Sequence, residues 1–100
     1  MRRFVLTAPA QGDLNQIKQY LVMKAGLRVA SRVLANIREA IAYVSRHPDS
    51  GHTRKDLTTR PVKFWPIYSY LIVYNPDTAP IQVLRVLHGM RDLERILEGG

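Results

Sequence analysis

Between Gly26 and Pro48 the chain carries a one-sided apolar stripe, and this segment constrains the fold more than any other. Ala30, Val33, Leu34, Ile37, Ile41 and Val44 recur at i, i+3, i+4 and i+7, the spacing of a helix with one buried face. Arg28, Arg32, Arg38 and Glu39 lie largely off that stripe. Pro48 cannot continue the helix, and Arg46 and His47 suit its negative end. The segment before it has the same character. Leu14, Ile17 and Leu21 fall on one face with Ala10 and Tyr20 beside them, and Asp13, Asn15, Gln16 and Lys18 turn to water. Thr7 can cap this earlier helix, and Pro9 suits its first turn, where a missing N–H leaves nothing unpaired. Gly26 is a natural stop, because glycine accepts the left-handed conformation at a helix end. So short a break makes the two helices an antiparallel hairpin.

Strand-like segments flank the hairpin. Residues 3–7, Arg-Phe-Val-Leu-Thr, are rich in aromatic and β-branched side chains and read as a short strand. Asp49 to Thr59 is polar, holds Ser50-Gly51, and reads as a loop. Val62 to Trp65 is expected as a strand bent by Pro66, Ile67 to Tyr74 as a second, and Ile81 to Leu87 as a third after a turn at Asn75-Pro76-Asp77. Connections this short exclude crossovers, so the three form an antiparallel meander. Gly89 breaks the last strand, and Asp92 can cap a closing helix with Leu93, Ile96 and Leu97 as its apolar face. The expected order is β-α-α-β-β-β-α. It is an α+β domain over residues 1–100, with the hairpin packed on one face of a small, mainly antiparallel four-stranded sheet. At 100 residues the chain is one domain, burying roughly two-thirds of its unfolded surface.

Composition narrows the function. With 46% hydrophobic and 23% charged residues the chain is an ordinary globular one. It has no cysteine, hence no disulfide, thiolate nucleophile or cysteine metal site, which fits a reducing compartment. His47, His52 and His88 lie far apart without ligand spacing to carboxylates, so no metal and no cofactor are expected. There is no glycine-rich phosphate loop and no recognisable Ser-His-acid set. No apolar run approaches the ~20 residues of a membrane span. The start of the chain has too short an apolar stretch for a signal peptide, so a cytoplasmic protein without membrane contact is expected.

What remains is basic and aromatic. Fifteen Lys and Arg against eight Asp and Glu give a net charge of +7, a field that attracts nucleic acid, anionic membrane or an acidic protein. Arg54, Lys55, Arg60 and Lys63 gather around the loop and the strand after it. Period-two alternation puts Tyr68, Tyr70 and Tyr74 on one strand face, either to stack bases beside these cations or to pack under the hairpin. Arg85, His88 and Arg91 occupy the last strand and its exit. His88 has two readings, a general acid or base near neutral pH or a backbone partner that holds the Gly89 turn.

Four local patterns, in order, resemble the RelE/ParE toxin superfamily over nearly the whole chain. They are Ala10-x-x-Asp13-Leu14-x-x-Ile17-x-x-Tyr20; Ile37-x-x-Ala40-Ile41 leading to Pro48-x-x-Gly51; Tyr70-x-Ile72-Val73-Tyr74; and residues 83–92, Val-Leu-Arg-Val-Leu-His-Gly-x-Arg-Asp. The superfamily holds messenger-cutting ribonucleases, which are RelE-like, and gyrase poisons, which are ParE-like. In the ribonucleases an arginine typically follows the tyrosine that opens the third pattern, and here that residue is Leu71. They also often carry a tyrosine beyond the arginine matching Arg91, where this chain reads Leu93-Glu94-Arg95-Ile96-Leu97. The His-Gly-x-Arg-Asp exit is similar to ParE-like sequences.

The resemblance therefore implies the toxin of a type II toxin–antitoxin system, a non-enzymatic poison of DNA gyrase that stabilises the cleaved DNA complex. An acidic, ParD-like antitoxin would neutralise it in a hetero-oligomer. DNA would be met only indirectly, through gyrase or an antitoxin–operator complex. Arg85, Arg91, Arg95, Lys63 and Arg60 are the expected target-binding residues, and Leu14, Ile17 and Leu21 the expected antitoxin-binding ones. The alternative is a ribosome-dependent endoribonuclease using His88, Arg85 and Arg91.

Overall fold

The structure, a computed structural model, describes residues 4–89. Strand β1 (Phe4–Leu6) leads into helices α1 (Ala8–Ala25) and α2 (Leu27–Arg46). A single 3-10 turn at Pro48–Ser50 follows, then strands β2 (Lys63–Ile67), β3 (Tyr70–Asn75) and β4 (Ile81–His88). The sheet order is β1-β4-β3-β2, with β1 parallel to β4 and the meander antiparallel. This is the expected α+β arrangement. The closing helix expected after Asp92 lies outside the described residues.

The helix signals act as read. Thr7 Oγ1 accepts the Ala10 N–H at 3.3 Å, and Pro9 sits in the first turn. Gly26, at φ +90°, alone separates the helices, a backbone angle that side-chain-bearing residues rarely adopt. The α2 stripe buries Ala30, Ile37, Ile41 and Val44 against Leu14 and Ile17 of α1 and Ile72, Tyr74, Ile81, Val83 and Val86 of the sheet. Each fully buried isoleucine contributes about 1.5–3 kcal/mol relative to exposure. The far face of the sheet has its own apolar cluster. Val62, Phe64, Val73 and Leu87 are buried there, with Leu57, Leu71 and Leu84 packed on them. The segment read as a plain polar loop thus covers this face through Leu57 and pairs His52 with Phe64 at the edge of β2.

Two strand boundaries differ from expectation. Pro66 does not bend the chain into β3, because β2 runs through it to Ile67 and the hairpin turns at Tyr68-Ser69. Phe64 directs its N–H and C=O outward to His52, and Pro66, two residues on, shares that outward orientation. A missing N–H there breaks no ladder bond. Tyr68 therefore lies in the turn, at φ +54°, with its hydroxyl bonded to Asn36, and does not share a strand face with Tyr70 and Tyr74. Those two are buried under the hairpin. The ladder also slips between Val73 and Tyr74, which pair with Arg85 and Val83, so Leu84 is an extra residue in β4.

Tyr74 fastens the end of α2 to the sheet. Its hydroxyl donates to Pro48 O at 2.7 Å and accepts the Gly51 N–H at 2.9 Å. A Cβ on Gly51 would run into that hydroxyl, so glycine is required there for space, at an ordinary φ of −70°. Tyr74→Phe is expected to lower unfolding free energy by about 1–3 kcal/mol in urea titration, since two polar backbone groups lose their partner. Gly51→Ala should destabilise as well. Gly12→Ala on α1, where an added methyl meets nothing within 4 Å, should stabilise by about 1 kcal/mol.

Candidate functional site

The edge of β4 decides how α1 is held. β1 stops at Leu6, opposite Val83, while β4 continues to His88. Beyond that point the edge groups of β4 need other partners. Thr7 supplies the first of them. Its N–H and its hydroxyl both donate to Val83 O at 3.1 Å, and the hydroxyl also reaches Leu84 O at 3.0 Å. Asp13 supplies the next, accepting the Val86 N–H at 2.9 Å on Oδ2. The same carboxylate accepts Arg85 Nε at 2.7 Å and Nη2 at 2.9 Å, a two-pronged pair. Asp13, expected in water, is only 12% exposed at its side chain. Arg85, expected to face a target, has its guanidinium turned to α1 instead.

Beside this junction a groove of about 270 Å³ opens between α1 and the end of β4, lined by Asp13, Gln16, Tyr20, Tyr70, Val86 and His88. His88 is exposed and lies edge-on to Tyr70, ring centroids 5.2 Å apart, in register across the two strands. Burial, then the neighbouring Tyr20, pushes the Tyr70 hydroxyl above its ordinary value near 10, further from ionising than a free phenol, which is itself neutral at physiological pH. The groove can bind polar groups. Among the described residues its acid–base candidate is His88, because the tyrosine is a weak acid and Asp13 and Arg85 hold each other.

Among the described residues, the other expected site residues do not gather at one place. Leu14 and Ile17 are core, and Leu21 packs against the same core. The large apolar side chains that the hairpin leaves open are Tyr20, Val22, Met23, Leu27 and Tyr43, exposed by 55%, 38%, 83%, 63% and 40%. Periodicity finds an apolar stripe but cannot distinguish one that packs on its own sheet from one left bare. Tyr20 was legible beside the stripe, whereas Val22, Met23 and Leu27 gave no periodic signal. Arg60 is exposed before β2, and Lys63 opens that strand half-buried, at the sheet edge away from β1. Arg91 and Arg95 lie outside the described residues. Arg54 pairs with Asp56 at 2.8 Å on the surface. Leu71, at the position where the ribonucleases place an arginine, belongs to the apolar cluster on the far sheet face. Among the described residues no three His, Asp or Glu side chains come together as a metal site.

Three comparisons bear on this arrangement. A family model described as the ParE toxin of the type II toxin–antitoxin system parDE matches residues 4–93. Toxin ParE3 of Caulobacter vibrioides is 29% identical over 94 residues, spanning 93% of this chain and 92% of its own. A solved chain of the chromosomal ParDE TA system from P. aeruginosa superposes with a TM-score of 0.74 at 20% identity, over 89% of this chain and 97% of that one. At that identity the structural match speaks for the fold.

If Asp13 holds α1 to β4, Asp13→Ala should lower stability in urea by about 2–3 kcal/mol, leaving Arg85 and the Val86 N–H without the acceptor. Asp13→Asn, which keeps one acceptor oxygen, should cost less. Asp56→Ala, which breaks a solvent-screened surface pair, should leave the urea midpoint essentially unchanged.

Proposed function

This chain belongs to the ParE toxin family of type II toxin–antitoxin systems, and we propose on that premise that it poisons DNA gyrase without doing chemistry itself. The observation that carries the reading is the family match through every described strand and helix. The toxin binds gyrase and holds the complex in which DNA is cut and attached to the enzyme. Contacts made only in that state slow religation, since a ligand shifts an equilibrium only by its differential affinity. The groove supports binding over catalysis. Cutting a phosphodiester requires activating a hydroxyl, stabilising a charged phosphorane and protonating the leaving oxygen. Here the phenol is neutral, Leu71 is apolar, and Arg85 is occupied by Asp13.

Target contact is assigned to Arg60 before β2, to Lys63 at its start, and to Arg91 and Arg95, which follow β4 in the sequence, while Arg85 is held in its pair with Asp13. The antitoxin is acidic, ParD-like and partly disordered until it folds along the toxin in a hetero-oligomer. Tyr20, Met23 and Leu27 offer it apolar anchors over the packed Leu14, Ile17 and Leu21, and the positive field speeds capture. DNA enters with gyrase or with the antitoxin on its operator. Among the described residues no helix is long and apolar enough to cross a membrane, and the proposed setting is the cytoplasm.

A second reading, a ribosome-dependent endoribonuclease, is favoured by one observation: His88 stands exposed at the mouth of a groove. Purified gyrase with supercoiled plasmid separates the two. The poison reading expects linear DNA that accumulates with added protein and disappears when antitoxin is present. Unchanged supercoiling and no linear product at saturating protein would refute it.

A further inference from the structure

The water-facing side of the α1–α2 hairpin is a cationic surface that the groove above does not use. Lys18 and Lys24 on α1 and Arg28, Arg32, Arg38 and Arg46 on α2 are all exposed. Neither Arg54–Asp56 nor Arg85–Asp13, the ion pairs among the described residues, involves any of these six. The two carboxylates of the hairpin do little to offset them. Asp13 is committed to Arg85, which leaves Glu39 alone among the cations. Arg28 to Arg46 spans about 27 Å of helix, the axial length of roughly eight phosphates of one DNA strand.

Between the helices runs a groove of about 360 Å³, to which α1 contributes Leu14, Asn15 and Lys18 and α2 contributes Ser31, Leu34, Ala35 and Arg38. Two cations, an amide and a hydroxyl are the side chains that bind phosphate oxygens, and the small Ser31 and Ala35 leave room for a backbone to approach. Leu14 and Leu34 are buried and half-buried, so no large apolar side chain stands exposed there as an anchor for a protein partner. Those exposed on the hairpin sit toward its tip, at Val22, Met23 and Leu27, or flank the stretch, at Tyr20 and Tyr43.

The geometry points to this face as a sequence-independent docking surface for the phosphate backbone of duplex DNA. A toxin seated on a gyrase–DNA complex would then grip the duplex directly as well as the enzyme. The gyrase reading gives the contact its setting, but the contact is with bare DNA and is testable without gyrase.

The test is fluorescence anisotropy of the full chain with two labelled duplexes of unrelated sequence, from 50 to 200 mM salt. Both should bind equally, with a dissociation constant of roughly 1–100 µM at physiological salt, and log K should fall against log salt with a slope of about −4. Lys18→Gln/Arg38→Gln should make the slope shallower by about 2, because two phosphate contacts vanish. Arg54→Gln/Lys55→Gln, which removes the same charge from the loop before β2, should leave it unchanged. Circular dichroism confirms that both variants fold. Equal weakening by the two variants, or no binding at 50 mM salt, overturns the proposal. So does tighter binding of poly-glutamate than of duplex with the same sensitivity to Lys18 and Arg38, which assigns the face to an acidic protein. Plasmid linearisation by gyrase reads the poison activity separately, so either reading can fail alone.

Discussion

The Asp13 carboxylate on the edge of β4 is the contact on which the arrangement of this domain depends. A three-residue β1 cannot cover an eight-residue β4, and the uncovered N–H and C=O groups would otherwise be left without partners beneath a helix. Thr7 satisfies the carbonyls nearest the end of β1, and Asp13 satisfies the Val86 N–H further along. One helix thereby replaces the rest of a strand. Its angle is fixed by charge-assisted bonds as well as by the packing of Leu14 and Ile17, and α2 follows because only Gly26 separates the two. Where α2 leaves the hairpin, at the same open end where α1 enters it, Tyr74 ties Pro48 and Gly51 to the centre of the sheet. Polar contacts pin both helices toward that open end, and apolar burial holds the rest.

That construction has a chemical consequence. Arg85, three residues before His88, serves the architecture, and burial pushes the phenol beside His88 still further from ionising. A fold that used Arg85 to stabilise a phosphorane would have to release it from Asp13 and loosen α1. Among the described residues, the surfaces left open are apolar side chains toward the hairpin tip, an arginine-rich outer face, and cations before and within β2, all of which suit binding.

The hairpin, the meander and the face that α2 buries were legible because each rests on local pattern: helical spacing, a cap at Thr7, stops at Gly26 and Pro48. Asp13 was not. A lone aspartate in a polar stretch of helix reads as solvated, and its partner lies far off in sequence, reached only once β1 has paired in parallel with β4. The β2–β3 turn was misplaced for a related reason. Proline reads as a breaker, yet on the outward set of an edge strand its missing N–H matters to no neighbour, and Tyr68 takes the positive φ where glycine would be expected. Of the candidate site, His88 and the cations were visible in sequence. Which arginine was already occupied, and which leucines were already buried, depended on tertiary packing.

The central claim is that this chain binds and does not cut. A translating extract supplied with purified protein and a defined message tests it most directly, with the message ends mapped over time. Full-length message throughout is the predicted result. Protein-dependent cuts in the translated region that vanish in His88→Gln, with the variant still folded, would contradict it.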